Sequence, residues 1–200
     1  MSENNPLNQS SKKGFTLIEL LIVIAILAVL MSVVVIAINP AEMLKKSRDT
    51  RRVSDLDSLR TALNLYLSED KDFANCCNTS YAYISVPLAT ATSCTAPYCG
   101  GAGKTCYCAA NTSYRNIGTT GWVPIDFNAL TMRSALSSLP VDPTNNTSSG
   151  LYYLFAVSTS KTTYELNAKM ESTNNYSLMS NDGGNTSNWY EVGSDLYILN

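Results

Sequence analysis

Six cysteines are the side chains in this chain best able to do covalent chemistry: Cys76, Cys77, Cys94, Cys99, Cys106 and Cys108 all fall within 33 residues. Clustered thiols either bridge or bind a soft metal. Zinc is poorly served, because the spacing contains no C-x-x-C pair and the 200 residues contain no histidine. An even number of closely spaced cysteines suits disulfides formed in an oxidising exterior, although spacing alone does not assign the pairs. The missing histidine also removes Ser-His-Asp and Cys-His catalysis and the usual near-neutral general base. The chain reads as a non-enzyme.

Two further runs offer binding chemistry. Gly101 to Thr105 (G-A-G-K-T) looks like the end of a phosphate-binding loop, but the full motif needs glycine where Tyr98 stands, and no apolar strand leads into it. Asn181-Asp182-Gly183-Gly184-Asn185, with Asp195 downstream, supplies the hard oxygens and tight turns that Ca2+ requires. An Asx-Gly turn joining two strands explains the same run. No cofactor is required, and Ca2+ at Asp182 and Asp195 is the one candidate. Fourteen basic against sixteen acidic side chains give a net charge of -2 and no global field for nucleic acid.

The elements that must carry these groups begin with a polar leader over residues 1–14, ending in Lys12-Lys13-Gly14. From Phe15 to Ile38 the chain is apolar on every face, with one charge, Glu19. The 19 residues from Leu20 to Ile38 rise about 28 Å as a helix, which matches the hydrocarbon core of a bilayer. Cleavage by ordinary signal peptidase is the weaker reading, because the run is too long and ends in bulky Val and Ile. A carboxylate near the head of such a helix costs roughly 2.5 to 3.5 kcal/mol unless it snorkels or finds a partner.

K-K-G-F-T-L-I-E-L, residues 12–20, resembles the class III signal of type IV prepilins and type II secretion pseudopilins. The resemblance implies cleavage after Gly14 by a membrane-embedded prepilin peptidase and methylation of the new N-terminus at Phe15. For Glu19 it implies a partner, the N-terminal ammonium of a neighbouring subunit in a growing filament. Such pairing suits the physics, since either charge buried alone would be penalised heavily. Leu139-Pro140-Val141-Asp142-Pro143 resembles the L-P-x-D-P connection of major pseudopilins, and the Asn181–Asn185 run resembles their calcium loop.

Pro40 predicts a kink or local melting at the end of the apolar run. Val53, Leu56, Leu59, Leu63 and Tyr66 then recur at spacings of three and four, so residues 40–70 read as an amphipathic helix. Lys45 with Asp49, Arg51 with Asp55 and Asp57 with Arg60 read as pairs on a solvated charged face, with contacts to neighbouring stems or anionic lipid as the sharper alternative. Residues 71–121 show no sustained period and read as a variable loop stapled by disulfides. Residues 122–200 read as an antiparallel β-sheet region, with strands at Leu151–Val157, Thr162–Met170 and Glu191–Leu199. In the second of these, Tyr164, Leu166, Ala168 and Met170 should face the helix stripe, while Thr163, Glu165, Asn167 and Lys169 face water.

The fold class is therefore α+β and pilin-like, with residues 15–39 as the transmembrane and filament-core helix. Lys45, Lys46, Arg48, Arg51 and Arg52 outnumber Lys12 and Lys13, which argues for a cytoplasmic C-terminus. The cysteines argue more strongly for an exterior domain on a single-pass inner-membrane anchor. The reading is a structural subunit that polymerises into an extracytoplasmic pilus filament. Its partners are copies of itself, the prepilin peptidase, a pilus or type II secretion assembly platform and the membrane. The alternatives are a major pseudopilin of a type II secretion system and a monomeric membrane-anchored binding domain.

Overall fold

The computed structural model describes residues 14–69, 71–99, 101, 103–131 and 136–199, with the backbone alone at 36 and 37. The chain divides between Met43 and Leu44 into two units. In the first, helix α1 (Leu17–Ile38) starts at Thr16, whose side chain caps it in a reciprocal box with Glu19. α1 stops at Asn39, which takes a left-handed conformation at φ 46°. Helix α2 (Pro40–Ser68) begins immediately. Proline at the first helical position gives up an N–H that would lack an intrahelical acceptor anyway. The interruption is thus a stop and a restart, with the Asn39 carbonyl accepting from the Glu42 N–H at 3.0 Å.

The second unit is built on a mixed six-stranded sheet. Its strands are β1 (Tyr81–Leu88), β2 (Thr92–Ser93), β3 (Thr105–Ala110), β4 (Tyr153–Val157), β5 (Tyr164–Ala168) and β6 (Tyr190–Gly193), in the order β2-β3-β1-β4-β5-β6. A short helix α3 (Tyr176–Ser180) precedes β6. Residues 71–121 therefore hold three strands where the sequence suggested an irregular loop. In β3 the buried positions are thiol and small side chains, Cys106, Cys108 and Ala109, with the intervening Tyr107 only half-buried, while in β1 the run Ala82–Tyr83–Ile84–Ser85 is buried on both faces and so shows no alternation. The sheet is not purely antiparallel either, because β1 pairs parallel with β3 through the long 89–104 connection. A pairing between strands so far apart leaves no local period to read.

Leu56, Leu59 and Leu63 of α2 pack with Tyr153, Phe155, Val157, Tyr164, Leu166 and Ala168, as their spacing predicted. The opposite sheet face is not wet. Tyr152, Leu154 and Ala156 join Ile84, Cys106, Cys108, Trp189 and Leu199 in a second apolar cluster. Glu165 and Asn167, expected in solvent, are consequently fully buried. The third strand ends at Gly193, where an added Cβ would collide with the Tyr164 carbonyl. The chain beyond it folds over this second face, and Leu199 is wholly enclosed.

The charged face of α2 is a second departure from expectation. Arg60–Asp57 (3.0 Å) is an exposed pair and Arg51 lies exposed 3.7 Å from Asp55, a half-buried carboxylate that also accepts the Tyr153 hydroxyl, but Arg52 and Asp49 have no solvent exposure at all. Arg52 donates from Nε and Nη2 to Asp142 at 2.6 and 2.9 Å, and from Nη1 to Asp49 at 2.8 Å. Its Nη2 also lies 2.7 Å from Glu171. Glu171 takes a second fork from Arg48, whose hydrogen bonds hold the Glu171 carboxyl down at about 2. Asp49 also accepts the backbone N–H groups of Glu171 and Ser172, each at 2.9 Å. One charge cluster thereby clamps α2 to the L-P-V-D-P segment and to the chain leaving β5.

Arg52→Met should leave Asp49 and Asp142 buried without their cation, costing about 3–5 kcal/mol. Arg51→Met removes an exposed guanidinium 3.7 Å from Asp55, which keeps the Tyr153 hydroxyl, and should stay within about 1 kcal/mol of wild type. Urea unfolding of the detergent-solubilised chain followed by tyrosine and tryptophan fluorescence measures both.

Candidate processing and assembly site

Gly14, Phe15, Thr16 and Glu19 come together at the head of α1. A Cβ built on Gly14 meets no described residue within 4 Å, so the described fold does not demand glycine there. Phe15 is 90% exposed. The Glu19 carboxylate accepts the Thr16 N–H at 2.8 Å and the Thr16 hydroxyl at 2.7 Å, and the Glu19 N–H donates back to Thr16 Oγ1 at 3.3 Å. T-L-I-E is a capping-box pattern that was available in the sequence but hidden by the apolar run around it. Both bonds to the carboxylate end on Oε2. Leu17–Val35 behind it is 19 residues at mean hydropathy 3.1, with none of that span buried. An apolar surface of this extent is stable in lipid or against other apolar helices, not in water.

The structure bridges four of the six cysteines, as Cys94–Cys108 and Cys99–Cys106. Both bonds fasten the β2–β3 edge of the sheet. Cys76 and Cys77 stand as thiols in the turn before β1. Lys104 of the G-A-G-K-T run directs its ammonium to the carbonyls of Thr79 (2.7 Å) and Val157 (3.4 Å), closing a loop rather than cradling phosphate.

The two carboxylates of the calcium candidate, Asp182 and Asp195, are each engaged in hydrogen bonds within the fold. Asp182 uses Oδ1 to accept the Gly184 N–H at 3.0 Å and Oδ2 to accept the Glu191 N–H at 2.8 Å. That arrangement is an Asx turn leading from α3 into β6, with Gly183 at φ +91°. Asp195 accepts instead from the Tyr197 N–H and lies 3.5 Å from the Thr163 hydroxyl. Among the described residues no three His, Cys, Asp or Glu side chains group to hold a metal ion, so calcium here would have to draw most of its six to eight oxygens from backbone carbonyls and amide side chains.

A buried acidic group that sequence reasoning missed lies under the second apolar cluster. Glu165 Oε2 accepts the N–H groups of Ile198 and Leu199, each at 2.8 Å. Glu165 Oε1, Asn167 Oδ1 and the Tyr98 hydroxyl are buried without a hydrogen-bond partner among the described residues. Burial pushes the Glu165 carboxyl up to about 8 despite the Leu199 amide, and the neighbouring Glu191 adds to the rise. A proton on Oε1 turns an unpaired acceptor into a donor beside other acceptors. Because the folded-state value is raised, this stabilisation is complete below about 4.5 and is lost as pH rises through about 8. Unfolding free energy should therefore fall from pH 5 to pH 9. Glu165→Gln, whose amide donates at every pH, should flatten that slope in urea titrations across the range.

Comparison with known proteins bears on the head of the chain. Residues 9–35 match the prokaryotic N-terminal methylation motif. No curated protein and no solved structure matches the chain. The matched stretch includes Gly14, Phe15, the capping box and all of the exposed apolar span Leu17–Val35, so one short segment holds the methylation motif and a membrane-length helix together. The motif implies processing by a prepilin peptidase and assembly with pilin machinery. The chain therefore carries, over residues 9–35, the class III signal of type IV pilins and pseudopilins.

Proposed function

We propose that the protein is a structural subunit of an extracytoplasmic type IV pilus filament. Its leader is cut after Gly14, Phe15 becomes the methylated N-terminus, and α1 passes from the membrane into a bundle of stems. The observation that carries the reading is Glu19: a carboxylate in a helix apolar on every face, directly after a class III signal. The capping box satisfies Oε2 within the subunit, and Oε1 faces no hydrogen-bond donor among the described residues. That oxygen suits the Phe15 ammonium of a neighbouring subunit inside the bundle. The two disulfides and the absence of histidine chemistry suit an exterior structural domain.

The cap also gives Glu19 a role that needs no neighbour, so the test must separate hydrogen bonding from charge. Glutamine keeps the capping box but offers an incoming ammonium no counter-charge. Glu19→Gln should insert normally and leave the exterior domain folded, while sheared-filament yield per membrane subunit falls sharply. The expected deficit is that of breaking a buried ion pair, about 3–5 kcal/mol per subunit. Normal filaments from Glu19→Gln would reduce Glu19 to a cap. A wild type that never enters a filament would favour a monomeric anchored domain.

Processing supplies a second check. Since no described residue crowds Gly14, Gly14→Val should leave the fold intact and act only on the peptidase. Intact-mass spectrometry should then find the mature N-terminus at methylated Phe15 in wild type and an uncut leader in the variant.

A further inference from the structure

Cys76 and Cys77 are the two cysteines outside the disulfides, and their sulfurs lie 2.8 Å apart. Adjacent side chains in an extended chain point to opposite sides. Here a turn brings both onto one side. The Cys77 N–H donates to the Phe73 carbonyl at 3.2 Å, and Asp72 Oδ1 accepts the Ala74 N–H at 2.9 Å. The β4–β5 connection holds the same turn from outside: the Phe73 N–H reaches the Lys161 carbonyl, and Lys161 Nζ donates to the Ala74 carbonyl, both at 3.0 Å. The two sulfurs thus face each other in a turn held by backbone and Lys161 bonds, to which Cys76 Sγ adds a weak contact with the Phe73 carbonyl at 3.6 Å.

We propose that Cys76 and Cys77 close into a vicinal disulfide, and that this ring is the readily reducible bond of the domain, opened and reclosed by thiol–disulfide exchange at the Cys76 sulfur. The same unit holds its other four cysteines in disulfides, so it matures where thiols are oxidised, and two sulfurs already in contact there are set to join. The sulfurs differ in access. Both residues line an open cleft of about 400 Å3, but Cys77 is 4% exposed and packs in the core, whereas Cys76 is half-buried and alone of the two also borders a second cleft of about 510 Å3. They also differ in acidity. The hydrogen bond from Cys77 holds the Cys76 thiol below its ordinary value, helped by the Lys161 ammonium, while burial pushes the Cys77 thiol up. Cys76 is therefore the attacking sulfur and Cys77 the resolving one.

Closure needs an oxidant, here an exterior disulfide R–S–S–R. The Cys76 thiolate attacks one of its sulfurs and releases a thiolate. That thiolate takes the Cys77 proton, and Cys77 attacks Cys76 Sγ and expels the second thiolate. Two cysteine thiols are oxidised, and one disulfide is reduced to two thiols. A dithiol reverses the sequence.

The ease of reopening follows from chain geometry. Adjacent Cα atoms across a trans peptide are about 3.8 Å apart, against about 4.4 to 6.8 Å in ordinary disulfides. Cys94–Cys108 at 5.9 Å and Cys99–Cys106 at 4.9 Å lie inside that range. The eight-membered ring lies outside it and is the strained, more reducible bond.

The test uses the mature protein isolated without reductant, acid-quenched, denatured and alkylated. The expected result is no alkylated cysteine, with the peptide carrying both residues lighter by two hydrogens and attached to no other peptide. Alkylation of both residues, or their linkage to a second chain as a covalent dimer, overturns the ring. Graded dithiothreitol under native conditions, followed by alkylation, tests the reducibility. Cys76 and Cys77 should become labelled at a dithiol concentration at least about ten-fold below that for the other four. Opening together with them, or after them, overturns the exchange role. Neither result bears on filament assembly, which rests on Glu19.

Discussion

A guanidinium sealed from water is tolerable only when carboxylates meet it in good geometry, and Arg52 is met by three. Each carboxylate comes from a different stretch of chain: Asp49 from α2 itself, Asp142 from the L-P-V-D-P segment, Glu171 from the exit of β5. The cluster thus sets where two irregular segments lie on the helix. Asp142 goes further, since its Oδ1 also accepts the N–H groups of Thr144 and Asn145 and shapes the turn that follows. Trp122 adds a bond from its indole to the Pro140 carbonyl at 2.9 Å, so the same segment is tied to the aromatic core. The apolar stripe of α2 supplies adhesion that could tolerate small slides. The fork between Arg52 and Asp142 allows one register.

With α2 seated, the sheet is enclosed on both faces. The helix covers Tyr153, Phe155, Val157, Tyr164 and Leu166, and the other face is sealed by Trp189, the chain end and the disulfide-bonded edge. That second closure buries Glu165. A carboxyl forced under an apolar cover neutralises itself rather than remain charged. The domain consequently resists acid at this position and is weakest there in alkali. Arg48 acts the other way on Glu171, which stays ionised far into acid and keeps the clamp charged.

The head of the chain works under the opposite constraint. The Leu17–Val35 span of α1 has none of its residues buried, and among the described residues the Glu19 carboxylate is held by the cap at Thr16. A helix apolar on every face needs an apolar surrounding, and the membrane and a bundle of like helices both provide one. The stop at Asn39 and restart at Pro40 separate this apolar helix from the amphipathic one, so the two need not share a hydrophobic face.

The sequence by itself determined what depends on local composition. The spanning helix, the signal at Gly14, Phe15 and Glu19, the break near Pro40, the Leu56/Leu59/Leu63 stripe and the strands at β4 and β5 each follow from consecutive residues and a short period. Even the cap at Thr16 was written in T-L-I-E. Tertiary structure alone decided which charges are buried, because Arg52 and Arg51 are neighbours of one type, and it takes carboxylates remote along the chain, Asp142 at 90 residues and Glu171 beyond it, to tell them apart. It likewise decided that Glu165 and Asn167 are covered, since an alternating strand shows two faces but not what lies on each. The parallel pairing of β1 with β3 and the choice of Cys94–Cys108 and Cys99–Cys106 are of the same kind. All are contacts between residues remote along the chain, set by which surfaces meet once the core has closed, and no local pattern encodes them.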